Sequence, residues 1–177
     1  MKLDGCKKAH LVAKGFSQIE GLDFDQAFSP VVRFETVRLM LALAALENWY
    51  ITGLNVRSAY LYGKLNEEIY MEQPEGFAVP GQEHKVLRLW HALYGLKQAS
   101  LAWWRTLNES LKELRFEHLK SEAGFFYKKK GTNIVIGIIY VDNALFCGPN
   151  KAVVDTIKAQ FMRKWECRDL GEPNEFL

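Results

Sequence analysis

Asp142 and Asn143 break an apolar run, NIVIGIIYVDNALFCG over residues 133–148, which resumes directly after them. Apolar β-rich segments on both sides of a short polar break read as a β-hairpin with a carboxylate at its turn. A second interruption of this kind stands far upstream at Asn55 in ITGLNVRSAY, at the end of another short β-rich run. Oxygen donors gathered at two strand ends suggest a metal site, because a hard cation such as Mg²⁺ prefers oxygen ligands and carboxylates above all. The plainer alternative for Asp142-Asn143 is a hairpin turn, since both residue types tolerate positive φ.

Such strand ends must be positioned by a sheet and the helices that cover it. Residues 35–48 lack Gly and Pro and are rich in Leu and Ala, which predicts a helix buried over much of its surface. Residues 68–71 and 85–90 read as strands, and Pro74, Gly76, Pro80 and Gly81 punctuate an irregular loop between them. Leu101, Trp104, Leu107, Leu111 and Leu114 recur at intervals of three or four along a helix over about 98–116. Residues 124–128 and 133–141 read as strands joined tightly through Lys128, Lys129, Lys130 and Gly131. Asn150 is the expected N-cap of a last helix with Val154, Ile157 and Phe161 as its apolar stripe. This order predicts an α+β fold, a split βαβ (ferredoxin-like) sheet covered by helices on one face.

The 177 residues suffice for one sizeable core, and 49% hydrophobic with 25% charged residues is ordinary for a globular protein. A net charge of +2 carries no argument for nucleic acid by itself, so any such argument needs local clusters of cations. Cys6, Cys147 and Cys167 are odd in number, lie far apart and lack CxxC spacing, which supports neither a disulfide framework nor a zinc site and favours a reducing, intracellular setting. No apolar stretch approaches the roughly 18 residues of a membrane span, and the first residues have no apolar signal core. His84, His91 and His118 lack metal spacing. No GxxxxGK[ST], HExxH or Ser-His-Asp signature supports an ATPase, zincin or hydrolase.

The segments KAHLVAKGF, LNVRSAYLYG, IYMEQPEGF, LYGLKQAS and YVDN, in this order from about residue 7 to the end, together resemble the reverse transcriptase of copia-type retrotransposons. The resemblance implies a polymerase palm over about residues 51–177 with partial fingers over about 1–50, in a single reverse-transcriptase domain lacking thumb and nuclease domain. It also implies RNA-directed DNA polymerisation with two Mg²⁺ ions, an RNA or DNA primer-template and deoxynucleoside triphosphates, in the cytoplasm or nucleus and not at a membrane. The remaining polyprotein domains are expected to be missing.

The resemblance assigns the metal-binding and catalytic positions to Asn55, Asp142 and Asn143. The family pattern there is Asp, then YVDD, so two of three aspartates are amides in this chain. Two-metal nucleotidyl transfer uses divalent ions about 4 Å apart. Exchanging two carboxylates for amides takes the local charge from about −3 to about −1 and leaves neutral carbonyl oxygens with a weaker pull. A loss of about 3 kcal/mol per charge lowers the rate roughly a hundredfold or more per site.

Tyr60 matches the position of the family's aromatic sugar gate, with a core tyrosine as the alternative. Gly95, Lys97 and Gln98 lie in the segment that the family places under the nascent base pair and template strand. Gly95 allows close backbone approach, and Lys97 and Gln98 suit phosphate or sugar contacts. Their alternative is a strand-to-helix turn. Lys8 and Lys14 match the basic fingers strand that meets the triphosphate, or else they are solvated. His10 stands where the family has Arg and Ser100 where it has Pro, and a mostly neutral imidazole weakens one phosphate contact. Lys128, Lys129 and Lys130 read as a solvated turn, and Trp103, Trp104 and Trp165 as packing. The expected function is therefore a reverse transcriptase domain impaired or inactive in this copy. The alternative is a non-catalytic fragment that binds nucleic acid weakly or has no selected function.

Overall fold

The computed structural model describes residues 9–173, and the chain divides into two compact units. The units part at residues 28/29, 59/60 and 103/104. One comprises the described residues up to 28 with 60–103, and the other comprises 29–59 with the described residues from 104 onward. Three α-helices and eight strands are described: α1 Phe34–Leu46, β1 Tyr50–Val56, β2 Lys64–Glu72, β3 Val86–His91, α2 Ala99–Glu113, β4 Glu117–Leu119, β5 Glu122–Lys130, β6 Asn133–Tyr140, β7 Asn143–Gly148, α3 Lys151–Lys164 and β8 Cys167–Gly171. The fold class is mixed α+β with antiparallel sheets, as the sequence predicts.

The larger unit is built on a six-stranded sheet in the order β4-β5-β6-β7-β1-β8. Side chains alternate across β7. Leu145 and Cys147 pack with Val37, Met40 and Ala44 of α1 and with Ile136 and Ile138 of β6. Phe146 points the other way, its ring 5.3 Å from Phe161 of α3 and 6.1 Å from Phe116. Helices therefore cover both faces, not one. The chain enters the sheet from α1 on one side and leaves β7 into α3 on the other.

Helix α1 ends in a Schellman motif. Asn48 takes the left-handed conformation (φ 52°), and Trp49 N–H donates to the Ala44 carbonyl at 2.8 Å. The expectation that α1 is buried over much of its surface is corrected. Val37, Met40 and Ala44 are buried, whereas Leu39 is 71% and Leu46 80% exposed. A helix resting on one sheet face can bury only one stripe, and leucine composition does not say how many stripes are covered.

Helix α3 matches its expected cap and stripe. The Asn150 side chain accepts from Val153 N–H at 3.3 Å, and Val154, Ile157 and Phe161 are buried. The expected helix over 98–116 is α2, in which Leu101, Leu107 and Leu111 are buried. The expected turn through Lys128, Lys129 and Lys130 is corrected. These residues finish β5, Lys130 pairs with Asn133, and the connection is Gly131-Thr132 alone. Gly131 has φ 62°, the positive value a two-residue hairpin turn requires at its first position. Strands β4 and β8 carry no period strong enough to predict them from sequence.

The smaller unit contains the β2–β3 hairpin, with Ile69, Ala92, Leu96, Ala99 and Ala102 at its core. Its 73–85 connection is irregular as expected. It is gathered by Gln73, whose amide donates to the Gln82 and Lys85 carbonyls at 2.7 and 2.9 Å and accepts from Val79 N–H at 2.8 Å.

Candidate active site

Asn55 and Asn143 are cross-strand partners in the β1–β7 ladder, and Asp142 immediately precedes β7. The sheet order makes this possible. β1 lies beside β7, so a residue near the end of the first strand meets one at the start of the second. The backbone closes the same junction through Val56 N–H, which donates to the Asp142 carbonyl at 2.7 Å.

The turn differs in detail from the expectation. Tyr140 pairs with Asn143, so the two turn residues are Val141 and Asp142, and Asn143 already belongs to β7. The residue with positive φ is Val141 (55°), neither Asp142 nor Asn143. A β-branched side chain is strained there. The register fixes this choice, because pairing Asn143 with both Asn55 and Tyr140 leaves the bend to the two residues before it.

The three side chains form a closed set. Asn55 Nδ2 donates to Asp142 Oδ2 at 2.9 Å and to Asn143 Oδ1 at 3.1 Å, and Asn143 Nδ2 donates to Asp142 Oδ1 at 3.2 Å. Both carboxylate oxygens of the half-buried Asp142 thus accept from amides that stand at metal-ligand positions in the resemblance. One carboxylate with two neutral amides supplies a single negative charge, and the amide hydrogens aim at the oxygens a cation would take. These residues do not fit a pair of Mg²⁺ ions. Among the described residues no group of three or more His, Cys, Asp or Glu side chains could hold a metal ion.

The remaining predicted site residues that the structure describes belong to the smaller unit. Tyr60 lies in a short 3₁₀ turn, Ala59–Tyr62, its ring 5.1 Å from that of Tyr94, and the Tyr94 ring lies 5.9 Å from that of His10. Gly95 has φ 94°, and a β-carbon there would meet the Ala13 carbonyl and Val12. Residues 12–13 run against this turn through a Val12–Tyr94 bridge and an Ala13 N–H donating to Tyr94 O at 2.7 Å. The expected basic strand is corrected over its described part. Val12 makes a one-residue bridge and Gly15–Ser17 a 3₁₀ turn, because Gly15 packs against Gly95 with no ladder alongside. Lys14 is exposed there, and Lys8 lies outside the described residues.

Gln98 is 2% exposed, and its carboxamide is engaged at both ends. It donates to Asp23 O at 3.0 Å and accepts from Gln18 Nε2 at 3.0 Å, while Gln18 Oε1 accepts from Lys97 N–H at 2.7 Å. This clasp fixes the turn and leaves the Lys97 side chain exposed. Gln18 and Val141 are the residues that sequence reading missed. Neither has a local signal, since one acts through a contact distant in sequence and the other through the register of three strands.

The sequence matches the family described as reverse transcriptase (RNA-dependent DNA polymerase) over residues 1–177. It is 40% identical to the "Retrovirus-related Pol polyprotein from transposon TNT 1-94" of Nicotiana tabacum, covering 100% of this chain and 14% of that protein. The corresponding protein from transposon RE1 of Arabidopsis thaliana is 36% identical, over 96% of this chain and 12% of that protein. The "Transposon Ty1-MR1 Gag-Pol polyprotein" of Saccharomyces cerevisiae is 33% identical, over 98% and 10%. The chain spans 14% or less of the length of these relatives. No solved structure matches.

Proposed function

Because this chain belongs to the reverse transcriptase (RNA-dependent DNA polymerase) family, as the reverse transcriptase portion of a copia-type retrotransposon Pol polyprotein, we propose that it is a nucleotidyltransferase by descent whose metal site no longer supports polymerisation. The observation that carries this reading is the closed Asn55–Asp142–Asn143 set. Polymerisation in such a site uses two Mg²⁺ ions to activate the primer hydroxyl and neutralise the triphosphate. Here each amide donor competes for a carboxylate oxygen, and the charge that would repay Mg²⁺ dehydration is largely gone.

In this reading the larger unit corresponds to the palm. Its strands β6-β7-β1-β8 are antiparallel neighbours, α2 lies in sequence between β1 and β6, and α3 lies between β7 and β8. That is the connectivity of a split βαβ sheet and supports the assignment. Tyr60 is assigned the sugar-gate role, and Lys8, Lys14 and Lys97 phosphate contacts with a primer-template or triphosphate. Gly95 permits backbone approach to the template, and Gln98 holds the turn that presents Lys97. The membrane is not invoked, and no helix among the described residues is long and apolar enough to cross one.

A second reading draws on the same amides: the chain retains weak nucleic-acid binding without catalysis. Primer extension on an RNA template, with Mg²⁺ and with Mn²⁺, tests both against the variant Asn55→Asp/Asn143→Asp. Extension by the variant alone is the expected result. Extension by the native chain at a comparable rate refutes the proposed loss, and silence from both locates the defect outside these positions.

A further inference from the structure

The two lysines at the end of β5 become informative once the strand is seen to continue through them. Lys128 and Lys130 are two residues apart and so share one face of β5, while Lys129 points to the other. Cross-strand pairing sets Lys128 opposite Val135 and Lys130 opposite Asn133. Across from them, α3 presents Val153, Thr156, Ile157 and Gln160, which lie at i, i+3, i+4 and i+7 on one helix face. Strand and helix enclose an open groove of about 730 Å³. Its floor is apolar through Val135 and Ile157, and its walls carry ammonium, hydroxyl and amide groups.

Among the described residues the cations of this groove have no counterion. The ion pairs among the described residues engage Arg33, Arg57, Arg88, Lys151, Lys158 and Lys164, but neither Lys128 nor Lys130. Lys128 lies over the Phe116 ring at 6.0 Å. Its ammonium is held below the usual lysine value first by burial, then by the positive charges of Arg115 and Lys130. Like charges held together without a carboxylate favour a bound anion. The groove volume falls within the range of ligand sites and exceeds what a bare inorganic ion fills. No aromatic side chain lines it, so it offers phosphate and sugar contacts without a stacking platform.

We propose that the groove between the β5–β6 hairpin and α3 binds the phosphodiester groups of a single nucleic-acid strand through Lys128 and Lys130, without base preference. The site is separate from the amide set. Asn133 and Tyr140 are at opposite ends of β6, about 23 Å apart at ~3.3 Å per residue. The inference goes beyond the polymerase reading and does not depend on activity at Asp142.

The test uses the whole chain and a labelled single-stranded RNA. Acetylation of lysines, read by mass spectrometry with and without RNA, is expected to show protection of Lys128 and Lys130 but not of Lys129. In anisotropy titrations Lys128→Ala/Lys130→Ala should lower affinity about tenfold or more near 0.1 M salt and reduce the salt slope by about 1.4, at ~0.7 per phosphate contact. The charge-matched variant Lys120→Ala/Lys129→Ala should leave both nearly unchanged. Protection by adenosine monophosphate equal to that by RNA overturns the strand in favour of a single nucleotide. Protection by RNA alone upholds the strand. Equal modification of all three lysines with and without RNA, or equal losses in the two double variants, overturns the proposal.

Discussion

Restoring the carboxylates should make stability depend on Mg²⁺ more strongly than that of the native chain. In the native chain Asn55 Nδ2 is a donor 2.9 Å from Asp142 Oδ2 and 3.1 Å from Asn143 Oδ1. Asn55→Asp/Asn143→Asp replaces these attractive contacts by oxygens facing oxygens. Two unit charges about 3 Å apart repel by roughly 5 kcal/mol at an effective dielectric near 20. Side-chain reorientation and the half-exposed setting reduce this to about 3 kcal/mol of net destabilisation in Mg²⁺-free buffer. For a chain of this length that corresponds to a melting temperature lower by about 6–12 °C. A divalent ion that binds only the folded variant returns about 2.7 kcal/mol at ~100 times its dissociation constant, so most of the deficit should vanish in excess Mg²⁺. Thermal melting of both proteins with chelator and with excess Mg²⁺ measures this directly. A native chain that gains as much from Mg²⁺ as the variant refutes the argument. So does a variant that melts like the native chain in chelator, because either result means the amides are not blocking the cation.

Val141→Gly should stabilise the chain by about 0.5–1 kcal/mol in urea denaturation, since relief of the left-handed strain (φ 55°) outweighs the added chain entropy; a loss of stability would show that the side chain of Val141 matters more than its backbone. Burial pushes the Cys147 thiol up to about 12 from an ordinary 9.0. A raised folded-state value stabilises fully below the unfolded value, so the unfolding free energy should fall as pH rises from 9.0 towards 12, less steeply in Cys147→Ala. Indifference of the native chain to pH across that range would count against burial as the cause.

The hairpin, the α3 cap and the apolar stripes of α2 and α3 were legible in the sequence because each is a local pattern. A period of two or 3.6, or an Asn before an apolar run, sits within one segment and needs no partner to be recognised. The family was legible for a related reason, since several short segments in fixed order are hard to match by chance. The sequence also named Asn55, Asp142 and Asn143 together, though only through that resemblance.

What those residues do to one another was decided by the tertiary structure. Asn55 donates to a carboxylate 87 positions away because β1 lies between β7 and β8 in the sheet, an order that no local pattern encodes. The same pairing moved the turn onto Val141 and left Asn143 in β7. The lysines of β5 were a solvated turn until the register with β6 aligned two of them with α3. Local periodicity fixes which element a residue joins and which way it points. Register and the packing of distant segments fix what it meets, and in this chain that decides whether Asp142 faces a cation or two amides.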